Sequence, residues 1–465
     1  MGDVPQRSGP GAARFGVLAG AIIVQLILGT VYGYSIFWQP LTKQVFPEVI
    51  TQVEHDARVM AGDDVSNTEV VADDAAKAAR RATQQGYLKY AFSICILSFA
   101  VVMVIAGRIQ DVTGPRKPAM IGAVLMGVGF ALAGLINHLG GGSGSLTKLA
   151  LLWGTIGFLA GAGIGFAYVC PIAALVKWFP KQKGLVSGLA VAGFGFGAYL
   201  FKGRTIGALG YIEGHGITQF FLVHGAVCFV GVTIGALLLR NPPSFAPSAG
   251  EAPQPESSWR ATLRRPAFYV LWLMFFSGAM AGLMVIGIVK VFAGEQLVQA
   301  ALDGASSLTP EQRAELLGKG AAAVGWLAIF NAVGRIVWGF VSDFIGRTSA
   351  FVAMFVAQAI MMFLLGTMHT ELSLAVAASI VGFNFGGNFA LFPSATADLF
   401  GAKNLGANYG WVFTSYGIAG VVGIAAGNAA KSMTGSYSAA FTLAAVLCLV
   451  SAALAVGLAI AHKRR

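Results

Sequence analysis

The chain has little charge for its size. Only 11% of its 465 residues are Asp, Glu, Lys or Arg, whereas 56% are hydrophobic. So few charges argue against a large soluble domain. Long polar stretches are also scarce, because apolar runs of about 20 residues follow one another and each could cross about 30 Å of hydrocarbon as a helix. The sequence therefore predicts an all-α, multi-pass membrane protein.

Cysteine is scarce too. The four cysteines all lie inside predicted spans, where we expect apolar filler rather than disulfides: Cys95, Cys170, Cys228 and Cys448. No cluster of His, Asp, Glu or Cys offers metal ligands or a nucleophile with its base. The sequence therefore predicts no enzyme, no metal site and no cofactor.

Twelve membrane spans are predicted. They lie near residues 15–38, 87–109, 118–138, 149–176, 184–203, 217–239, 267–292, 320–342, 349–368, 372–396, 406–429 and 435–460. We expect two six-helix bundles, over 1–240 and 266–465, joined by a flexible cytoplasmic linker over 241–265. The long outer loop 39–86 is expected to be a solvated cap or a short amphipathic helix, with a docking site as the alternative.

The positive charge lies on one side of these spans. The net charge is +11, and the basic residues fall in the short connections of one face: Arg116, Lys117, Lys181, Lys183, Arg260, Arg264, Arg265, Arg347, Lys403, Lys463, Arg464 and Arg465. This distribution follows the positive-inside rule and favours a lipid bilayer, not nucleic acid, as the partner. It predicts a protein of the cytoplasmic (inner) membrane with both termini in the cytoplasm.

The chain also contains an internal repeat. The stretch GRIQDVTGPRK at 107–117 returns about 230 residues later as GFVSDFIGR at 339–347. A second set of pairs shares one offset of 222 residues: Gly165 with Gly387, Pro171 with Pro393, Gly184 with Gly406 and Gly188 with Gly410. The repeat therefore predicts that the chain consists of two copies of one membrane unit. Proteins built in this way bind their substrate between the two halves, near the bilayer midplane.

The repeated Gly-x-x-x-Asp-x-x-Gly pattern with its following arginine resembles that of the major facilitator superfamily, over the whole length of the chain. In that superfamily the Asp ends a helix, where it can pair with basic residues and with a neighbouring helix N-terminus. The resemblance implies that Asp111, Arg116, Asp343 and Arg347 act in gating, by latching the outward-open state.

Finer motifs narrow this resemblance. They are LGTVYGYSIF at 28–37, YVCP at 168–171, KWFP at 177–180, GGNFALFP at 386–393 and DLFGAKNLGANYG at 398–410. These segments resemble the oxalate/formate antiporter family, which is related to the monocarboxylate transporters. The resemblance covers nearly all of the chain except the long outer loop, and it implies small carboxylate anions as substrates.

One residue indicates a bound anion independently of these resemblances. Arg335 lies eight residues before Asp343, so about 12 Å of helix separates it from the inner end of the eighth span. A charge at that depth is tolerated only facing protein or water. The predicted spans carry no Asp or Glu in their central turns, which favours a bound anion over a buried ion pair. A guanidinium suits a carboxylate because its planar fork gives two parallel hydrogen bonds.

Other polar side chains are candidates for the same site. They are Tyr32, Tyr34, Tyr168, Asn331, Asn384, Asn388, Trp411, Thr414 and Ser415. Each could instead serve helix packing or an interfacial position. Tyr32, Tyr168 and Asn331 are preferred, because the resemblance implies that the first, fourth and eighth helices line the cavity.

Two departures from the related families limit the prediction. Oxalate-exchanging relatives are expected to carry a lysine in the eleventh helix, but residues 407–428 contain no basic residue. Animal monocarboxylate transporters often carry an Asp four residues before the arginine, where this chain has Asn331.

His224 is the only histidine well inside a span, and it is either a proton carrier or simply packed.

The sequence thus predicts a monomeric secondary transporter of a monocarboxylate such as lactate, pyruvate or formate, by alternating access. An oxalate/formate-type exchanger and a non-transporting carboxylate sensor are the alternatives. A proton or a counter-anion as coupling partner stays open.

Overall fold

The computed structural model describes residues 10–140, 144–201, 208–243, 256–304 and 307–463. The helices of the first half are α1 (Pro10–Leu28), α2 (Trp38–Val45), α3 (Gln52–Ala61), α4 (Asp74–Thr113), α5 (Arg116–Gly134), α6 (Ile136–Leu139), α7 (Ser145–Leu152), α8 (Gly161–Trp178), α9 (Lys183–Phe201) and α10 (Ala208–Leu238). A 3-10 segment (Gly29–Phe37) follows α1, and a π-helical segment (Trp153–Ala160) joins α7 to α8.

The second half is also helical. Its helices are α11 (Trp259–Leu263), α12 (Pro266–Asp303), α13 (Pro310–Lys319), α14 (Ala321–Ile345), α15 (Arg347–Leu364), α16 (Glu371–Phe400), α17 (Leu405–Thr434) and α18 (Ser438–Lys463). A 3-10 turn (Leu365–Thr367) follows α15. The described residues contain one sheet, in which strands β1 (Glu48–Thr51) and β2 (Thr68–Val71) pair in parallel.

Eleven helices within the described ranges are long and apolar enough to cross a membrane, and Lys183–Gly197 is a shorter apolar helix at the place of the fifth predicted span. The all-α membrane fold predicted from the sequence is therefore confirmed. We call the end of the bundle with Asp111 and Asp343 the inner end, and the end with residues 38–73 the outer end, following the predicted orientation. Where each predicted bundle begins and ends stays a prediction.

Glycines bring the two halves together at the inner end. Gly107 on α4 lies against Gly406 on α17, and Gly184 on α9 lies against Gly339 on α14. At each of these glycines an added Cβ would collide with the backbone carbonyl of its partner. Because no side chain intervenes, the helix backbones pack directly against each other. The inner end is therefore closed.

The outer loop is more ordered than the sequence suggested. Helix α4 begins at Asp74, although the second span was predicted only from residue 87. Helix α3 has a capping box between Thr51 and Glu54, which satisfies backbone groups at its start. Two salt bridges, Arg58–Glu48 and Lys77–Glu54, join the segments of this small domain. We call residues 38–81 the outer cap.

Only part of the linker predicted over 241–265 lies within the described residues. Residues 244–255 lie outside the described residues. The following stretch is not free, because Ser257 donates its backbone amide to the Phe400 carbonyl at 2.9 Å and accepts from the side chains of Asn404 and Asn408. These contacts fasten residues 256–258 to the second half just before α11.

Candidate functional site

Arg335 lies at the centre of the bundle and is completely buried. Its Nε donates to Asn331 Oδ1 at 3.1 Å, one helical turn earlier on α14. Its Nη1 donates to the backbone carbonyl of Val191 on α9 at 2.7 Å. The guanidinium therefore joins the two halves of the molecule.

The guanidinium has no acidic partner among the described residues. Its Nη2 also lacks a hydrogen-bond partner, although it is fully buried. Desolvation of a charge is costly, and an unpaired donor adds to that cost. A ligand with a negative charge and acceptor oxygens would satisfy both requirements.

Aromatic rings surround the guanidinium. Its Cζ lies 4.5 Å from the Phe389 ring centroid and 5.8 Å from that of Phe194. Phe194 contacts Tyr32 edge-on at 5.0 Å, and Phe389 contacts Tyr416 at 5.4 Å. The hydroxyls of Tyr32 and Tyr416 are 2.8 Å apart, so these side chains and Arg335 form a closed ring. Cation–π contacts stabilise the charge without using any of its N–H donors.

Two further phenols lie beside this ring. Tyr168 on α8 packs edge-on against Phe194 at 5.4 Å, and Tyr409 on α17 packs against Phe413 at 5.6 Å. Both hydroxyls are close enough to interact electrostatically with each other and with Arg335. The two hydroxyls are within reach of a weak hydrogen bond to each other, and neither makes a well-formed hydrogen bond to any other described group. The site therefore contains one buried cation and a pair of buried phenols that face each other.

The structure brings four of the predicted binding residues together and places the others elsewhere. Tyr32, Tyr168 and Asn331 surround Arg335, as described above. Tyr34 instead donates to the Leu88 carbonyl at 3.2 Å. It lies in the 3-10 segment, where each residue turns by about 120°, so two residues after Tyr32 the side chain leaves in another direction.

The candidates on α17 also face away from Arg335. Trp411 stacks on Trp259 at 6.1 Å, Thr414 accepts from the indole of Trp272, and Ser415 donates to a carbonyl of its own helix. Tyr409 and Tyr416 are seven residues apart and share the central face of this helix. Trp411, Thr414 and Ser415 lie between these two tyrosines in the sequence and therefore occupy other faces of α17.

The candidates on α16 contact neighbouring helices instead. Asn384 accepts from the Trp338 indole at 3.2 Å, and the side chain of Asn388 lies against Gly278 on α12. The central face of α16 belongs to Phe385 and Phe389, one helical turn apart. Both asparagines were therefore misplaced by the sequence reasoning.

Each predicted gating aspartate caps a helix of the opposite half. Asp111 accepts from the backbone amides of Gly406 and Ala407 at 3.0 and 2.7 Å. Asp343 accepts from the amides of Gly184 and Leu185 at 3.0 and 2.8 Å. A carboxylate at a helix N-terminus satisfies unpaired amides and favours the positive end of the helix dipole. The two contacts are equivalent under the internal repeat.

The basic partners of these aspartates are not equivalent. Arg347 donates to Asp343 at 2.7 Å and to Asp398 at 3.0 Å, and Lys183 donates to Asp398 at 2.8 Å. Since Lys183 belongs to the first half, this network also crosses between the halves. Neither Lys183 nor Asp398 was assigned a gating role from the sequence.

Arg116 does not take part in the contact between the halves. It donates instead to the Leu239 carbonyl at 2.7 Å, within the first half. Arg347 directly follows Gly346, whereas Pro115 occupies the corresponding place in the first half. Arg116 is thus displaced by one residue, or about 100° around the helix. The predicted gating role of Arg116 is not supported by its contacts.

His224 is packed as a structural residue would be. It is buried, its Nε2 lies 3.3 Å from the Thr30 hydroxyl, and its ring contacts Phe130 edge-on.

Membrane-crossing helices with a buried polar site between their two halves, and with one end closed, are features of a membrane transporter. The chain belongs to the Major Facilitator Superfamily, because the model of that family matches residues 78–310 and 297–464.

Its relatives include carriers of small carboxylates. The chain is 28% identical to the oxalate:formate antiporter of Oxalobacter formigenes, over 75% of this chain and 77% of that protein. It is 26% identical to the apicoplast pyruvate carrier 1 of Toxoplasma gondii, over 86% of this chain and 81% of the relative.

Solved structures share the fold. A fucose:proton symporter of Escherichia coli aligns with a TM-score of 0.65 over 95% of this chain and 98% of the symporter, at 13% identity. These relatives and neighbours are transporters, not enzymes.

Proposed function

We propose that this protein carries small monocarboxylate anions across the cytoplasmic membrane by alternating access. The observation that carries the proposal is the buried Arg335 guanidinium, which has an unpaired Nη2 and no acidic partner among the described residues. A carboxylate bound there would neutralise the cation and accept from its free donor. The substrates named for the two relatives are also carboxylates.

The charge of the site favours one carboxylate over two. Among the described residues, Arg335 is the only cation that contacts the aromatic ring, and the polar side chains around it are neutral phenols and an amide. A dicarboxylate would bring a second negative charge into a buried place without a second cation. In the proposed cycle, the neutralised complex crosses more readily than the bare cation, because its charge is screened.

Counterflow in proteoliposomes tests the proposal. Vesicles loaded with unlabelled pyruvate, lactate or formate should accumulate the labelled anion, and Arg335→Lys should lower the rate about 100-fold, because lysine keeps the charge but loses the bidentate fork. Arg313→Lys, at an exposed position on α13, is the matched control and should leave the rate unchanged.

Three outcomes would contradict the proposal. If the protein exchanged no carboxylate, the proposed transport function would be wrong. If Arg335→Lys kept full activity, the assignment of Arg335 as the binding residue would be wrong. Saturable binding without exchange would instead identify a sensor. Imposed proton gradients in the same vesicles distinguish proton cotransport from anion exchange.

A further inference from the structure

Two arginines at the inner end share one aromatic ring. The Cζ of Arg108 on α4 lies 4.8 Å from the ring centroid of Trp259, and the Cζ of Arg260 on α11 lies 5.0 Å from it. The Trp259 ring also stacks on Trp411 of α17, with the centroids 6.1 Å apart. We call Arg108 and Arg260 the inner arginine pair. Since α4 belongs to the first half and α11 is fastened to the second, the pair spans both halves.

The charges of the inner arginine pair are not neutralised by the protein. Neither guanidinium has a hydrogen-bond or ion-pair partner among the described residues. The carboxylates nearest in sequence are engaged elsewhere, because Asp111 caps α17 and Glu256 accepts from the backbone amide of Lys403. Two like charges beside one ring repel each other, and cation–π contacts use none of their N–H donors. An anion between the guanidiniums would remove this repulsion and accept from both.

The surface next to the pair is apolar and faces outward from the bundle. On α4, Ile105 and Val101 are exposed and lie three and seven residues before Arg108, on the same face of the helix. On α17, Ile418 is exposed and lies seven residues after Trp411. Because α4 and α17 pack against each other, these side chains form an apolar surface that runs from the pair toward the middle of the membrane.

The depth and charge of the site favour a lipid. Arg108 lies five residues, or about 8 Å, before the inner end of α4, so its long side chain can reach the phosphates of the inner leaflet. Arginine binds phosphate through its planar fork, and indole rings are typical of the bilayer interface. A zwitterionic headgroup would bring its own cation next to two arginines, whereas an anionic phospholipid brings none.

We propose that the inner arginine pair binds the phosphate of an anionic phospholipid, whose acyl chains lie along α4 and α17. The bound lipid connects the first half to α11, which residues 256–258 fasten to the second half. It therefore stabilises the closed inner end. The lipid site is separate from Arg335 and binds without a transported carboxylate.

Native mass spectrometry of the purified protein tests the binding, with phosphatidylglycerol or phosphatidylcholine added in increasing amounts. Phosphatidylglycerol should bind the wild-type protein at least about fivefold more tightly than phosphatidylcholine. Arg108→Gln and Arg260→Gln should each weaken phosphatidylglycerol binding about fivefold, because each removes one of the two charges that hold the phosphate. Binding of phosphatidylcholine should stay the same, which also shows that each variant is folded.

Arg264→Gln is the matched control, because Arg264 is exposed on the same surface but contacts neither indole in the described part of the chain. An equal loss in this control would overturn the inference, since binding would then follow the total charge of the inner face. Inorganic phosphate should not displace the lipid at equal concentration. If phosphate bound as tightly as phosphatidylglycerol, the ligand would be a free anion and the lipid assignment would be wrong.

The effect on closure is measured in nanodiscs of defined lipid composition. Spin labels at the exposed positions Lys181 and Lys403 report the distance across the inner end. Replacing half of the phosphatidylcholine by phosphatidylglycerol should lower the open population of the wild-type protein about fivefold, because opening loses one arginine–phosphate contact. The population of Arg108→Gln should not respond. An equal response of both proteins would show that the pair does not couple lipid binding to closure.

Discussion

The hydroxyl oxygens of Tyr32 and Tyr416 lie 2.8 Å apart and join the two halves of the molecule by one hydrogen bond. Tyr416 is eleven residues from the inner start of α17, or about 17 Å, so the bond lies on the outer side of Arg335. Tyr32 is partly exposed, whereas Tyr416 is fully buried. The pair therefore separates the guanidinium from the outer end.

Tyr416→Phe should open this barrier. Removal of one hydrogen bond costs about 1 kcal/mol, which corresponds to roughly a fivefold rise in the open population. The change can be measured with a cysteine at Ala332, near Arg335, in a background without the four buried cysteines. Labelling by a polar thiol reagent added at the outer face should accelerate about fivefold.

Tyr269→Phe provides the control for this experiment, because its exposed ring is remote from the barrier. Unchanged labelling in Tyr416→Phe would show that the phenol pair does not limit access. Equal acceleration in the control would indicate a general loosening of the bundle.

Asp343→Asn should weaken closure of the inner end. The substitution keeps the shape but removes the charge that caps α9 and pairs with Arg347. Loss of a charged hydrogen-bond partner at a half-buried position costs about 1.5–3 kcal/mol, so the open population should rise by one to two orders of magnitude. Spin labels at the exposed positions Lys181 and Lys403 would report a longer inner-end distance.

Arg116→Gln is the comparison variant for the contact between the two halves at the inner end. Its guanidinium bonds to Leu239 within the same half, so the Lys181–Lys403 distance should not change. Arg116→Gln could instead open the inner end as strongly as Asp343→Asn. In that case, the conclusion that Arg347 but not Arg116 contributes to the contact between the halves would be wrong.

Gly107→Ala should act as a wedge between α4 and α17. Its Cβ would meet the Gly406 carbonyl directly, and overpacking at such a contact costs about 1–3 kcal/mol. The same spin-label pair should therefore show a larger separation. Gly86→Ala on the same helix is the control, because nothing lies within 4 Å of its added Cβ. A normal distance in Gly107→Ala would mean that the added methyl group is accommodated without separating the two helices.

The parts of this molecule differ in how far the sequence could predict them. The apolar runs, the repeat and the isolated Arg335 predicted the fold and the centre of the site, because charge and hydropathy alone restrict where such residues can lie. Tyr32, Tyr168 and Asn331 were also predicted, and their side chains lie around Arg335. They come together there from helices that are far apart in the chain.

The misplaced candidates show the limit of such reasoning. Trp411, Thr414 and Ser415 were chosen for their polar groups, but the face of α17 toward Arg335 is set by packing and belongs to Tyr409 and Tyr416. The spacing of seven residues between these tyrosines was a usable signal. The ion pair of Lys183 with Asp398 could not be predicted, because the two residues belong to different halves and nothing in the sequence indicates that they are in contact.

The outer cap should loosen in acid. Hydrogen bonds from Lys77 and the Thr51 amide hold the pKa of the Glu54 carboxyl below its usual value, and Arg58 does the same for the pKa of Glu48. A carboxyl with a lowered pKa in the folded state adds stability above its unfolded pKa of 4.5, and this stability is lost as the pH falls toward the lower folded value.

Hydrogen exchange measures this effect directly. Protection factors over residues 48–81, corrected for the intrinsic pH dependence of exchange, should be constant from pH 7 to about 5 and fall below about 4.5. Glu54→Gln should show low protection in this segment at every pH, because it lacks the charge that Lys77 binds. Glu371→Gln, in the second half and outside the cap, should retain the wild-type profile. Protection that rose in acid would mean that these carboxylates destabilise the cap, opposite to what their contacts require.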